Sequence, residues 1–100
     1  MSDSQPVVLV VSFRAHASTF DELRTRLEEM VRLTTPDAGC INYMLHTDDN
    51  DPLRLTFVET WATDAHHAAH DLTPHVQAII ADTPRLTSEP ALVQRLRRVA

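Results

Sequence analysis

The sequence predicts an α+β fold of the ferredoxin-like type, with an antiparallel sheet built in the order strand, helix, strand, strand, helix, strand (βαββαβ). Three observations predict it. Apolar, β-branched runs stand at the start, middle and end of the chain, amphipathic segments separate them, and a polar turn joins the two middle runs into a hairpin. Short connections and right-handed crossovers then leave the split βαβ arrangement as the expected topology.

Length and composition limit the functions that the chain can have. The chain has 100 residues and a net charge of −5, which indicates one domain and argues against a nucleic-acid partner. We expect residues 1–6 to form a disordered polar tail and residues 7–100 to form the domain. The first apolar run is too short to span a membrane and lacks signal-peptide flanks. The single cysteine, Cys40, excludes an internal disulfide and indicates a cytoplasmic location.

The first half of the chain begins with a buried strand over residues 7–13. Thr19 and Glu22 have the spacing of a capping box, which predicts that a helix starts there and continues to Thr34 along one apolar stripe. Gly39 is the only glycine of the chain. We expect it to adopt a positive φ in the turn that ends this helix.

In the second half, a helix that Thr63 caps is expected to break near Leu72. Thr73 and Pro74 then supply the N-cap and first turn of a new helical segment. The predicted segments are a strand at 40–46, a turn at 47–52, a strand at 53–61, helices at 64–72 and 74–80, a loop at 82–90 and a last strand at 91–99.

Both faces of the predicted sheet are apolar. On the second strand, alternation places Tyr43 with Ile41 and Leu45 on one face, and Cys40 with Asn42 and Met44 on the other. Two helical segments cover only one face, and a large bare apolar face marks an interface. We therefore expect a homodimer in which two sheets pack face to face.

Four motifs along the chain carry a family resemblance. They are residues 36–43 at the entry to the second strand, residues 59–61 at the end of the third, His70 followed by the run at 73–75, and the pair at 89–90. With these motifs the chain resembles the antibiotic-biosynthesis-monooxygenase family, which includes the quinol monooxygenases, over residues 7–99. The resemblance implies a dimeric α+β barrel. It also implies oxidation of a small phenol, hydroquinone or anthrone-like substrate with O2, without metal, flavin or other cofactor.

Candidate site residues follow from that chemistry, which needs a base to deprotonate the substrate and aromatic walls to hold it. Four of the six histidines lie on or just after the second helical segment. We expect His70 and His75 to be the catalytic residues, as bases or hydrogen-bond partners of the substrate, Phe57 and Trp61 to be substrate-binding walls, and Asn42 to orient a substrate oxygen. The expected partners are an aromatic substrate, O2 and a second copy of the chain, with no nucleic acid and no membrane.

The same side chains also have structural interpretations. Trp61 and Phe57 are typical core residues, His75 is placed to brace the broken helix, and Asn42 is placed for a backbone or dimer contact. Glu59, if buried, needs a partner such as an arginine or a histidine, and desolvation raises its pKa.

Three other functions stay open. One is a dimer that binds a small molecule without catalysis, since a fold does not fix a function. Another is a metal site that pairs His66 or His67 with His70 and takes Asp71 or His75 as third ligand; because these imidazoles point to different faces, we expect none. The third is haem degradation. The residues at 10–12 and 78–80 differ from those of the family's haem-degrading members, so we do not expect haem to be bound as it is in those proteins.

Overall fold

A four-stranded antiparallel sheet forms the back of the molecule, in which the third strand along the chain lies between the second and the first, and the fourth lies beside the first. The structure is a computed structural model that describes residues 5–100, so most of the predicted tail at 1–6 lies outside the described residues. Its elements are β1 (Val7–Arg14), α1 (Phe20–Thr34), β2 (Cys40–Asp48), β3 (Asp51–Trp61), α2 (Asp64–Asp71), α3 (Pro74–Leu86) and β4 (Leu92–Leu96). This is the predicted α+β ferredoxin-like fold, with its second helical region divided into α2 and α3.

The core lies between the sheet and the helices. Alternate residues of β1 and β3 face it, and α1 contributes the predicted apolar stripe. The largest fully buried side chains are Trp61, Phe57, Leu9, Leu23, Leu27, Leu55 and Leu86. Burial of such side chains stabilises a domain by about 1.5–3 kcal/mol each relative to exposure, so this one layer supplies most of the driving force for folding.

A bulge in β2 corrects the predicted faces of that strand. Cys40 pairs with Trp61 and Asn42 pairs with Thr60, so Ile41 is an extra residue opposite neither. Cys40 consequently packs against the core on the same face as Tyr43, whereas Ile41 is 57% exposed. Strict alternation predicts the opposite faces for Cys40 and Ile41. That prediction is wrong because a bulge shifts the alternation of faces along the strand by one residue.

The C-terminal part of α3 also differs from the prediction. The helix continues past Ile80 to Leu86, through Pro84, where a loop was expected. Proline offers no N–H to the carbonyl four residues earlier. Here the Thr83 hydroxyl donates to the Ile80 carbonyl oxygen at 2.9 Å and replaces that bond. β4 is correspondingly shorter than the predicted 91–99.

Thr19 does not form the predicted capping box. It precedes α1, but its side chain makes no cap hydrogen bond. Its hydroxyl instead donates to the carbonyl oxygen of Leu86 at 2.6 Å, which ties the start of α1 to the end of α3.

Gly39 has the predicted positive φ, at +78°. A Cβ at this position would lie 2.1 Å from Cγ of His66 on α2. The absence of a side chain therefore allows the α1–β2 loop to contact α2 directly, and this contact positions the residues described next.

Candidate functional site

A cavity of about 350 Å³ lies between the sheet and the helical pair α2–α3. Its wall is largely apolar and includes a few polar side chains. The apolar wall includes Leu9, Val11, Phe57, Val76, Ile79 and Val93, and the polar side chains are Tyr43, Glu59, His67, His70, Asp71 and Thr83. A mostly apolar cleft with a few convergent polar groups is typical of a small-molecule site.

His70 lies in the last turn of α2 and is only 5% exposed. Its ring stacks on Trp61, with centroids 4.5 Å apart, and meets the Tyr43 ring edge-on at 5.4 Å. Burial lowers the pKa of this imidazole below its usual range. His70 is therefore neutral at neutral pH and able to accept a proton.

Asp37 connects His70 to His75. It belongs to the loop between α1 and β2, and one carboxylate oxygen, Oδ2, lies 3.5 Å from His70 Nδ1 and 3.3 Å from His75 Nε2. We call these three residues the Asp–His–His cluster. Because a carboxylate only accepts hydrogen bonds, the proton of neutral His70 is on Nδ1. Its Nε2 has no hydrogen-bond partner among residues 5–100, and His70 lines the cavity.

The joint between α2 and α3 fixes the two imidazoles relative to each other. Thr73 caps α3 by accepting from the Val76 N–H, and its hydroxyl donates to the His70 carbonyl oxygen at 2.7 Å. One short segment thus ends the helix that carries His70 and starts the helix that carries His75.

Glu59 is the second titratable group of the cavity wall. It is 3% exposed, and its Oε1 accepts a hydrogen bond of 2.8 Å from the indole N–H of Trp61. Burial raises the pKa of the Glu59 carboxyl to about 7, although the hydrogen bond from Trp61 has the opposite effect on this pKa. The raised pKa that the sequence predicted for a buried Glu59 is confirmed.

Tyr43 lies opposite Glu59 on the neighbouring strand. Burial, and secondly the charge of Glu59, raise the pKa of its phenol far above the usual range, so the hydroxyl stays protonated. Its ring packs against Phe57 with centroids 4.6 Å apart. Tyr43 thus contributes an uncharged aromatic side chain to the cavity wall beside the two proton acceptors.

Comparison with known protein families places this architecture. The model of the antibiotic biosynthesis monooxygenase family matches residues 6–82. The chain belongs to this family. A search of curated proteins found no significant match.

Solved structures agree with the family assignment. A Pseudomonas aeruginosa protein is 26% identical, with a TM-score of 0.90 over 100% of both chains. A Shewanella oneidensis protein is 29% identical, with a TM-score of 0.87 over 93% of this chain and 90% of its own. A structure described as an antibiotic biosynthesis monooxygenase is 20% identical, with a TM-score of 0.88 over 94% and 99%, and this likeness shows the fold.

The predicted site residues differ from one another in their surroundings. His70 and Phe57 line the cavity, whereas Trp61 is fully buried behind its wall. The indole N–H of Trp61 donates to Glu59, and its ring packs against that of His70. His75 is absent from the cavity wall and contacts Asp37 from the far side of His70. Asn42 pairs with Thr60 on the opposite face of the sheet and does not line this cavity. Its contact with a substrate stays a prediction.

Asp37 was not predicted from the sequence as a site residue. The residue stands in a polar turn, where aspartate is common for purely local reasons. The available signal was its neighbour Gly39, because a lone glycine marks a close approach of the backbone to another element. The sequence does not say that this element is α2.

The histidine pairs that the sequence offered for a metal do not form a cluster. His66 Nδ1 lies 2.8 Å from the Thr63 hydroxyl, and His67 Nδ1 accepts from Arg95 at 3.2 Å. Among residues 5–100, the side chains whose ligand atoms lie within 4.8 Å of one another are instead those of the Asp–His–His cluster. In the same part of the chain, no helix is long and apolar enough to cross a membrane.

Proposed function

We propose that the protein is a monooxygenase that oxidises a small, flat phenol, hydroquinone or anthrone-like substrate with O2 and draws the electrons from the substrate itself. The observation that carries the proposal is the cavity with two buried proton acceptors, His70 and Glu59, in a largely apolar wall. Family membership supports it. A volume of about 350 Å³ suits a small aromatic molecule.

The reaction requires the substrate to be ionised. Triplet O2 reacts slowly with closed-shell molecules, whereas a phenolate or enolate transfers one electron to it and the radical pair then recombines. For an anthrone-like CH2 group, one oxygen atom becomes the new carbonyl and the other leaves as water with the two hydrogens. No external reductant is needed.

His70 is the proposed base of this reaction. Burial keeps it neutral, and Asp37 orients it through Nδ1, so Nε2 accepts the substrate proton. The 3.5 Å distance is long for a hydrogen bond, and such contacts often tighten when substrate binds. Glu59 has a pKa of about 7, so it is suited to exchange a second proton with the developing product.

His75 is proposed as a positioning residue, because it contacts Asp37 and does not line the cavity. Phe57 is proposed as the aromatic wall that contacts the substrate. Trp61 is proposed to act indirectly, by positioning Glu59 and His70. A homodimer is proposed as the assembly, supported by the apolar side chains on the uncovered face of the sheet. The cytoplasmic location stays a prediction from the single cysteine.

The test is O2 uptake with a panel of hydroquinones and anthrones. We expect His70→Gln to lower kcat/KM by about 100-fold or more, as is typical for loss of a general base. His75→Gln is expected to cost about tenfold or less, mainly in kcat. His16→Gln, on an exposed loop residue, is the matched control and should have no effect.

Two results would overturn the proposal. Binding of these aromatics without O2 consumption would favour the non-catalytic ligand-binding dimer. Unchanged turnover in His70→Gln, with the fold intact by circular dichroism, would remove His70 as the base.

A further inference from the structure

We propose that Asp37, His70 and His75 form a binding site for a divalent transition-metal ion of the zinc type. The site uses His70 Nδ1, His75 Nε2 and Asp37 Oδ2. Two imidazoles and one carboxylate are a ligand set that suits zinc and its first-row neighbours, with water as a fourth ligand.

The spacing of the three atoms supports an ion better than it supports hydrogen bonds alone. Both imidazole nitrogens point to the same oxygen, at 3.3 and 3.5 Å. A charge-assisted N–H···O bond is about 2.7–2.9 Å long. Ligand atoms about 2.0–2.1 Å from a tetrahedral ion lie about 3.3 Å from one another. Two of the three ligand–ligand distances are therefore close to the edge of a tetrahedron around a small cation, and all three ligand atoms lie within 4.8 Å of one another.

The scaffold holds the ligands in place before an ion arrives. His70 is fixed by stacking on Trp61, and the Thr73 cap joins its helix to that of His75. The close packing of Gly39 on α2 restricts the loop that carries Asp37. Ligands locked by packing give up little conformational freedom on binding, and this favours affinity.

An ion can reach the cluster without passing through the substrate cavity. The side chains of Asp37 and His75 are 24% and 17% exposed, whereas that of His70 is 4% exposed. His75 also lines a separate surface groove with Met30 and Ile79. The cluster therefore opens to solvent on the His75 side and meets the cavity through the His70 ring.

Occupation of the cluster has a consequence that rests on the proposed function. An ion on His70 Nδ1 moves the proton of the neutral ring to Nε2, which then donates and no longer accepts. The same ion that binds the cluster is therefore expected to inhibit substrate deprotonation. Its binding does not depend on whether the protein is an oxygenase.

The experiment is a calorimetric titration of the full chain, freed of metal, with Zn²⁺ alone, repeated with Co²⁺ while visible absorption is recorded. We expect one ion per chain and the intense absorption bands of tetrahedral Co²⁺. His75→Gln and Asp37→Asn are each expected to weaken Zn²⁺ binding by at least about tenfold. Loss of a residue that only hydrogen-bonds to a metal ligand already weakens metal binding by about that factor. His16→Gln should bind as the wild type does.

A second readout keeps the test decisive if a variant is unstable. Zn²⁺ should raise the Tm of the wild type and of His16→Gln, because an ion that binds only the folded state stabilises it. Absence of saturable one-to-one binding by the wild type overturns the proposal. Equal affinity in the wild type, His75→Gln and Asp37→Asn also overturns it.

Discussion

At the scale of single residues, burial acts on Glu59 and His70 in opposite directions. Desolvation disfavours the charged form of each group, so it raises the pKa of the carboxyl and lowers that of the imidazole. Burial thus favours the uncharged form of both groups in the same cavity wall. A neutral imidazole can accept a proton and a protonated carboxyl can donate one, so the two groups are suited to exchange protons with a bound molecule.

Glu59 should also make stability depend on pH. Its folded pKa of about 7 is above the ordinary glutamate value of 4.5, so its stabilising contribution is complete below pH 4.5 and is lost as pH rises towards 7. Relative to Glu59→Gln, which stays uncharged, the wild type should lose roughly 3 kcal/mol of unfolding free energy across this window. Urea unfolding of both proteins between pH 4.5 and 8 measures the difference. A constant difference over that range would contradict it.

At the scale of elements, the α1–β2 loop and the α2–α3 joint together build the Asp–His–His cluster. The break near Leu72, the Thr73 cap and the positive φ of Gly39 were predictable, because each depends on local backbone chemistry. The meeting of Asp37 with His70 and His75 was not, because it depends on how the loop lies against α2. The bulge at Ile41 escaped prediction for the same reason, since the pairing with β3 determines it.

Gly39→Ala should disrupt the contact between this loop and α2. The substitution combines an unfavourable φ of +78° with a Cβ only 2.1 Å from Cγ of His66, and we expect it to lower stability by about 2–3 kcal/mol. Gly39→Asn separates the two causes, because asparagine tolerates a positive φ but still carries a Cβ. Chemical denaturation of both variants is the measurement. If Gly39→Asn were as stable as the wild type, contact with His66 would not be the cause.

At the scale of the whole molecule, the sheet separates two apolar surfaces with different surroundings. Helices cover one face, whereas large apolar side chains on the other remain exposed, among them Met44 at 56% and Leu92 at 55%. The topology and the two-sided character of the sheet followed from residue patterns that repeat along each strand. The cavity did not, because its shape depends on how α2 and α3 rest on the sheet.

The exposed sheet face predicts that the protein is a dimer and that charge on this face dissociates it. A lysine at Met44 would bury an unpaired charge in a sheet-to-sheet interface, so Met44→Lys should raise the dimer dissociation constant by at least about tenfold. Leu72→Lys is the matched control, since Leu72 is 78% exposed at the end of α2 on the helical side. Sedimentation equilibrium at micromolar concentrations measures both variants. A folded wild-type monomer at these concentrations would show that the apolar sheet face is stable in water by itself.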